Sequence, residues 1–212
     1  MQVDVSRETF RAALDAGLDE LSLPLPEQVR EKSGDLYSLL FDWNRVHNLT
    51  RVVEPAEAAR RHFVESWSLL TVPGLFEGVR SCADIGSGAG FPGLPLALAL
   101  PGIHWTLIEK AQKKAAYLTF AAAALKVNNV SVLCADARKT AERFDLITFR
   151  ALTSDDRFIL DLAVLLSPAG RFVLFLGPAQ QAPDGFAGEE HSVALGDRTL
   201  RLVVGRPRQR FG

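Results

Sequence analysis

CADIGSGAGFPG, residues 82–93, is the stretch that decides the fold of this 212-residue chain. It consists of a short apolar run that contains an aspartate, followed by four glycines within eight residues. Such a loop lets a ligand approach the backbone closely, because glycine has no side chain. The segment therefore predicts a ligand-binding turn after a strand. Its ligand would be the pyrophosphate of a dinucleotide or the amino-acid end of S-adenosylmethionine.

Strand and helix patterns alternate on both sides of this loop from about residue 80 onward. Short apolar runs predict four strands, which end at Asp84, Glu109, Asp136 and Arg150, and RFVLFLG (residues 171–177) predicts a fifth. Alternation of this kind is typical of an α/β protein with a doubly wound, Rossmann-like parallel sheet.

The carboxyl-terminal part of the chain contains three further predicted features. Residues 155–170 are predicted to be a helix that ends at a proline and a glycine. Residues 177–190 are predicted to be a mobile loop. Two apolar runs on either side of Gly196 and Asp197 predict a C-terminal β-hairpin, which would add antiparallel pairing at one edge of the sheet.

The amino-terminal part shows only helical spacing of its apolar residues. Phe10, Leu14 and Leu18 begin this pattern, and two further segments repeat it before residue 71. We therefore expect an N-terminal helical region over residues 1–75 and a ligand-binding sheet domain over residues 76–212.

Composition excludes several classes of protein. The net charge of −1 gives no global basic character, so any contact with nucleic acid must come from local patches. The two cysteines, Cys82 and Cys134, suggest neither a disulfide framework nor a metal site, and we expect Cys134 to be a core residue. No secretory signal and no membrane-spanning run is visible, so we expect a cytoplasmic protein without membrane contact. We also expect it to be a monomer.

The register of the glycines distinguishes the two candidate ligands. A dinucleotide fingerprint places its first glycine directly after the strand, and counted from Gly86 the third required glycine is Phe91. Asp84 would also repel a pyrophosphate, whereas it suits the ammonium and sulfonium groups of S-adenosylmethionine. These features favour S-adenosylmethionine over a nicotinamide cofactor.

Two more acids complete the predicted cofactor frame. Glu109 ends the second strand, where an acid can bond ribose hydroxyls, and Asp136 follows the third strand, where it can accept from the adenine amino group. Each acid alone is an ordinary surface residue. Their order along three successive strands, together with the glycine loop, predicts a methyltransferase-type adenosylmethionine site.

Four motifs carry a resemblance to a known family. IGSGAGFPG, DWNRVHNLT (42–50), RHFVESW (61–67) and FRA (149–151) resemble the ribosomal small subunit methyltransferase G family, also called glucose-inhibited division protein B. The resemblance covers about residues 36–176 with the motifs in the family's order. It implies a class I methyltransferase fold and methylation of N7 of one guanine in the decoding-region loop of 16S rRNA.

The resemblance also implies site residues. Gly86 and Phe91 match the family's cofactor loop, and Asp136 and Ala137 fall where the family contacts adenosine. Arg150 matches an arginine near cofactor and substrate. Together with the residue-based arguments, the expected cofactor-binding residues are Asp84, Gly86, Gly88, Phe91, Glu109, Asp136, Ala137 and Arg150. The expected substrate-binding residues are Arg61, His62 and Arg150.

The chain departs from the family pattern at three positions. The usual acid at the position of Ala137 is one residue earlier here, Leu176 replaces a lysine, and Glu65 stands where aspartate is usual. Some of the predicted site residues also have ordinary structural interpretations. Phe91 can equally be a core residue, and Arg61 and His62 can form bridges within the chain, for example to Asp42 or Glu65.

The predicted chemistry needs no general base, because guanine N7 has an in-plane lone pair and carries no proton. We therefore expect Arg150 to act by holding guanine O6 or a phosphate, since a donor to N7 would block the reaction. Contact with rRNA is expected from three groups of cations: Arg45, His47, Arg51, Arg60, Arg61 and His62; Lys110, Lys113 and Lys114; and Arg198, Arg201, Arg206, Arg208 and Arg210. The alternatives are a solvated charged face, a cofactor-binding sensor and a small-molecule methyltransferase.

Overall fold

The computed structural model describes residues 2–150, 156–177 and 179–208. Its amino-terminal part is helical, as predicted. A third helical segment passes from α-helical to π-helical geometry at Ala59–Val64 and ends in a 3-10 turn at Ser68–Thr71. The α-helices of this part are α1 (Gln2–Glu20), α2 (Glu27–His47), α3 (Pro55–Ala58) and α4 (Glu65–Trp67).

Local sequence explains where two of these helices begin and end. The side chain of Glu54 accepts hydrogen bonds from the backbone N–H groups of Ala56 and Glu57, which caps the start of α3. Asn48 takes a left-handed conformation with φ of 48° directly after α2, which ends that helix. The chain then turns back so that the third helical segment can pack on α1.

Strands and helices alternate in the second part of the chain. The strands are β1 (Ser81–Ile85), β2 (His104–Ile108), β3 (Val130–Leu133), β4 (Phe144–Phe149), β5 (Leu166–Leu176), β6 (Phe186–Leu195) and β7 (Arg198–Pro207). The helices are α5 (Gly93–Ala99), α6 (Gln112–Ala124) and α7 (Asp156–Asp161).

The seven strands form one sheet in the order β3-β2-β1-β4-β5-β7-β6. The pairings among β1 to β5 are parallel, and β7 lies antiparallel to both β5 and β6. The strand order reverses direction between β1 and β4, so the switch point lies at the carboxyl ends of these two strands. The doubly wound sheet and the hairpin turn at Gly196 and Asp197 are confirmed.

The prediction of a helix over residues 155–170 was wrong in its second half. Helix α7 ends at Asp161, a 3-10 turn follows at Leu162–Leu165, and residues 166–170 already belong to β5. The pairing of β4 with β5 shifts register between Phe144 and Leu146, and this irregularity accommodates Pro168 within a strand. Asp155, the first residue of the predicted helix, lies outside the described residues.

The predicted loop over residues 177–190 was also too long, because residues 186–190 form the beginning of β6. Every residue of β6 pairs with one of β7, from Phe186 opposite Pro207 to Leu195 opposite Arg198. The alternating burial of His191, Val193 and Leu195 is the normal period of a strand with one covered face. The mobility of the remaining loop stays a prediction.

The hydrophobic core has two parts, one on each face of the sheet. One part joins the amino-terminal helices to α5, α6 and the sheet through Phe10, Phe63, Trp67, Leu94 and Trp105. The other part covers the opposite face and contains Phe149, Phe172 and Leu162. The helical region therefore shares its core with the sheet. Among the described residues no helix is both long and apolar enough to cross a membrane.

Candidate functional site

The glycine loop lies at the switch point of the sheet. Directly after β1, Gly86, Gly88 and Gly90 have φ values of 71°, 56° and 96°, which side-chain-bearing residues rarely adopt. The N–H of Gly86 donates to the carbonyl of Ile108 at 2.8 Å, which fixes the turn to the end of β2. A Cβ atom on Gly88 would meet only the Gly86 carbonyl oxygen, at 3.7 Å. The backbone of this turn is therefore open to a ligand.

Asp84 supports the loop from inside the protein. Its Oδ1 accepts a hydrogen bond from Thr148 Oγ1 at 2.9 Å, and its Oδ2 accepts one from the N–H of Gly93 at 3.1 Å. Burial raises the pKa of this carboxyl to about 6, although these hydrogen bonds oppose the rise. The side chain fixes the start of α5, a role that sequence reasoning did not foresee. The predicted contact with an ammonium group stays a prediction.

Glu109 is buried at the end of β2 and holds the loop from the other side. Its Oε2 accepts from the N–H of Gly88 at 2.9 Å, and its Oε1 accepts from the N–H of Ala111 at 2.8 Å. Each carboxylate oxygen has two lone pairs, so each retains one acceptor position. Glu109 thus fixes the glycine loop and the start of α6 while it remains able to accept from a ligand hydroxyl.

Asp136 and Ala137 follow β3 at the same edge of the sheet. Asp136 is half-buried and caps the 3-10 turn Ala137–Lys139 by accepting from the N–H of Arg138 at 3.0 Å. The hydrogen bonds from Arg138 lower the pKa of Asp136 to about 2. The side chain of Ala137 is buried in the core. Any contact between Ala137 and a ligand would therefore use its backbone.

Arg150 follows β4, and its guanidinium group is held by hydrogen bonds on one side only. Its Nη2 donates to the carboxylate of Glu65 and to the carbonyl of Arg61, and its guanidinium carbon lies 5.7 Å from the centre of the Phe175 ring. Its Nη1 is buried and has no hydrogen-bond partner in the described part of the chain. This arrangement leaves one donor group of a fixed arginine unsatisfied within the described residues.

Glu65 is a site residue that the sequence analysis named only as one alternative partner of Arg61 or His62. In the structure it pairs instead with Arg150 and lies 3.4 Å from Nη1 of Arg198 at the start of β7. Its side chain is only 11% exposed. A glutamate inside the apolar run FVESW was the signal that could have identified it, because a buried carboxylate needs a partner.

The two predicted substrate-binding residues of the third helical segment lie in different environments. Arg61 is half-exposed and pairs with Glu57 at 3.0 Å. His62 is buried, its Nε2 lies 3.2 Å from Thr50 Oγ1, and its ring stacks on Phe91 with centroids 4.4 Å apart. Burial, with the positive charge of Arg150 in second place, lowers the pKa of His62 to about 3. Neither residue bridges to Asp42 or Glu65.

Phe91 connects the glycine loop to the helical region. Besides His62, its ring contacts Phe63 edge-on at 5.2 Å between centroids. The ring is buried, so the structure places it in the core as well as in the loop. A contact of Phe91 with the cofactor stays a prediction.

The two cysteines differ from expectation in one respect. Cys134 is exposed after the end of β3, so its assignment to the core was wrong. Cys82 is buried in β1, and burial raises the pKa of its thiol. The two thiols are not bonded to each other.

The geometry fits S-adenosylmethionine. An open glycine turn and carboxylates from the ends of β1, β2 and β3 surround one edge of the sheet, and such a set suits a ligand with cationic and hydroxyl groups. Across the described ranges no cluster of potential metal ligands occurs. The open turn and the carboxylates suit an organic cation.

Comparisons with known proteins identify the family of the chain and agree with its fold. Residues 30–195 match the model of a family described as rRNA small subunit methyltransferase G. The chain is 36% identical over 205 residues to the ribosomal RNA small subunit methyltransferase G of Burkholderia thailandensis, which covers 94% of this chain and 87% of the relative. A protein of the same name from an Anaeromyxobacter species is 36% identical over 194 residues, with 89% and 88% covered.

A solved structure shows the same fold at lower sequence similarity. The mitomycin 7-O-methyltransferase superposes with a TM-score of 0.50 and 17% identity, over 90% of this chain and 75% of that protein. The expected Rossmann-like class I methyltransferase fold is thereby confirmed.

Proposed function

This chain belongs to the rRNA small subunit methyltransferase G family, and from that premise we propose that it transfers a methyl group from S-adenosylmethionine to N7 of one guanine in 16S rRNA. The observation that carries the proposal is the open glycine turn at the switch point, bounded by carboxylates from three successive strands. It supports a cofactor site of the methyltransferase type within a chain of this family.

The residues that would hold the cofactor come from three loops. The backbone of Gly86 and Gly88 would approach the amino-acid end, while Glu109 and Asp136 would accept from the ribose and the adenine amino group. Bound S-adenosylmethionine supplies an electrophilic methyl group on a positively charged sulfur. Asp84 keeps the turn in place by fixing Gly93.

The protein need not remove a proton from guanine N7, because this nitrogen carries a free lone pair and no proton. His62 would be a weak base in any case, because burial lowers its pKa to about 3. Catalysis would then depend on holding the guanine in line with the methyl group. Arg150 suits this task, since Nη2 is fixed and Nη1, which has no partner in the described part of the chain, would donate to guanine O6 or to a phosphate.

The surface carries cations that can contact the RNA backbone. They are fewer than the sequence predicted, because several of the expected cations form ion pairs. Arg60, Arg61, Arg198 and Arg201 each pair with a carboxylate, so their charges are partly compensated. In the portion of the chain that is described, seven of the expected lysines and arginines pair with no carboxylate: Arg45, Arg51, Lys110, Lys113, Lys114, Arg206 and Arg208. These seven are the best candidates for phosphate contacts.

The direct test is transfer of labelled methyl from S-adenosylmethionine to small ribosomal subunits that lack the modification, with mapping by cleavage at 7-methylguanine. We expect label at a single guanine of the decoding-region loop. Arg150→Ala should lower kcat by about 100-fold through loss of orientation. Arg171→Ala removes another arginine, in the middle of β5, that donates to the backbone carbonyls of Gly74 and Leu75, and should leave kcat within about twofold.

The other outcomes separate the alternatives. Absence of transfer by the wild-type protein, with cofactor binding intact, would contradict the proposal and favour a sensor or a small-molecule methyltransferase. Transfer that is equally fast in Arg150→Ala and Arg171→Ala would leave the activity in place and contradict the role assigned to Arg150.

A further inference from the structure

Helices α2 and α6 form an aromatic surface beside the site. The ring of Trp43 lies between His47, at 5.2 Å between centroids, and Phe120, at 5.3 Å. Val46 follows Trp43 by one helical turn, so its side chain lies on a neighbouring part of the same face. We refer to Trp43, Val46, His47 and Phe120 as the α2–α6 surface.

These apolar side chains reach solvent to an unusual extent. Phe120 is 46% exposed and Val46 is 73% exposed, although both belong to regular helices with a buried face. Trp43 and His47 are half-buried and present part of each ring. Adjacent exposed rings on one surface are typical of an interaction site rather than of a solvated face.

Helix α6 connects the α2–α6 surface to the edge of the sheet that holds the cofactor loop. Helix α6 starts next to Ala111, whose N–H donates to Glu109, and it runs away from that edge. Asn44 and Thr50 connect α2 to the same region, because Asn44 Oδ1 accepts from the N–H of Thr50 and Thr50 Oγ1 contacts His62. A polymer held on this surface would therefore extend toward the site.

The charge beside these rings is positive. Lys113 lies two turns before Phe120 on the same face of α6, about 10 Å along the helix axis, and has no acidic partner among the described residues. Helix α6 contains no Asp or Glu. Asp42, which precedes Trp43, instead borders the groove between α2 and α1 with Ser6 and Arg7. Rings next to unpaired cations fit a polyanion that has its own planar groups.

We infer that the α2–α6 surface stacks against unpaired bases of the RNA substrate, with Lys113 on the adjacent phosphates. This inference rests on the proposed function and assigns its RNA a docking surface outside the cofactor site. Bases stack on aromatic side chains without need of sequence-specific hydrogen bonds, and lysine binds phosphate as a point charge.

The test compares two phenylalanines of nearly equal exposure on α-helices. Phe120→Ala removes a ring of the α2–α6 surface, whereas Phe41→Ala removes a ring that is 44% exposed on α2 but lies on the groove toward α1. The KM for unmodified small subunits should rise about tenfold in Phe120→Ala, since a stacked base contributes about 1–3 kcal/mol. It should stay within about twofold in Phe41→Ala. Affinity for S-adenosylmethionine should be unchanged in both.

The contrary outcomes are distinct. Equal KM values for the two variants, with normal transfer by the wild type, would overturn the α2–α6 surface alone. Absence of transfer by the wild type would contradict the proposed function instead. A wild-type dimer that Phe120→Ala converts to a monomer, without a change in KM, would assign the rings to a second copy of the chain and overturn the inference.

Tryptophan fluorescence provides a readout that does not depend on activity. Trp67 and Trp105 are 0% exposed, so acrylamide quenching in the folded protein reports mainly on Trp43. A single-stranded RNA oligonucleotide with the sequence of the decoding-region loop should protect Trp43 from acrylamide at low salt. Unchanged quenching while the oligonucleotide is bound would overturn the assignment of a base to this surface.

Discussion

Glu65 is the carboxylate on which the position of Arg150 depends. It holds Nη2 of an arginine whose side chain is only 18% exposed, while Nη1 of the same group has no hydrogen-bond partner among the residues that the structure describes. Removing one member of a largely buried ion pair leaves a charge without compensation, which costs more than the pair contributes when intact. The carboxylate is therefore important both for stability and for the direction in which Arg150 points.

We expect Glu65→Gln to lower the free energy of unfolding by about 3 kcal/mol and to lower kcat without a comparable rise in the KM for cofactor. Glu65→Asp, which restores the residue usual in the family, should recover most of kcat. Urea unfolding and steady-state kinetics measure both effects. Glu57→Gln is the control, because it removes an exposed partner of Arg61 and should cost less than about 1 kcal/mol. Equal effects of the two glutamine substitutions would contradict this role.

Asp84 makes stability depend on pH. The folded protein holds the proton of this carboxyl up to about pH 6, whereas the unfolded chain releases it near 3.8. Between these values the folded state binds more protons than the unfolded state, so a rise in pH weakens folding. A difference of about two pKa units corresponds to about 3 kcal/mol.

We therefore expect wild-type stability to fall by about 3 kcal/mol relative to Asp84→Asn as the pH rises from 4 to 7, since the amide does not ionise. Above pH 7 the difference should be constant. Urea unfolding of both proteins across this range measures it. Parallel stability curves for the two proteins would show that burial does not raise this pKa.

At the scale of elements, Gly93 determines how closely α5 approaches the sheet. A Cβ atom at this position would lie 2.3 Å from Leu107 Cδ2 and 2.9 Å from Asp84 Oδ2. Neither atom can move easily, because Leu107 is buried in β2 and Asp84 is hydrogen-bonded. The last glycine of the loop is thus a packing residue, while Gly88 has open space in front of it.

Gly93→Ala should lower the free energy of unfolding by about 1–3 kcal/mol through overpacking, and it should weaken cofactor binding because Asp84 is displaced. Gly102→Ala is the control, since nothing lies within 4 Å of a Cβ there. It should change stability by less than about 1 kcal/mol. Unfolding curves and calorimetric titration with S-adenosylmethionine measure these effects. A Gly93→Ala protein as stable as Gly102→Ala would contradict the packing argument.

Sequence predicted the parallel strands better than it predicted the element before β5. The strands that were predicted to end at Asp84 and Glu109, which are β1 and β2, are short, buried and followed by a turn, so their sequence pattern indicates only a strand. Pro168 and Gly170 instead indicated the end of a helix, whereas a register shift between β4 and β5 makes room for both. That shift depends on pairing with a strand 20 residues away and leaves no local signal.

At the scale of the whole molecule, the site is predictable where parallel topology alone brings residues together. Asp84, Glu109 and Asp136 meet because the carboxyl ends of parallel strands share one edge. The pairing of Glu65 with Arg150 joins residues 85 positions apart and depends on how the helical region packs on the sheet. Side-chain pairs of this kind follow from packing, which one sequence does not specify.

The helical region and the sheet share one hydrophobic core, so we expect them to unfold together as one cooperative unit. Trp67 donates its indole N–H to the carbonyl of Pro95 in α5, and His62 stacks on Phe91 of the glycine loop. We expect a single urea transition, in which hydrogen exchange of α1 and of β1 reports the same free energy of opening. A fragment of residues 76–212 should fail to fold, because Leu94 and Trp105 would lose one side of their packing. Separate transitions, or a folded fragment with native near-ultraviolet circular dichroism, would instead establish two independent domains with a boundary near residue 75.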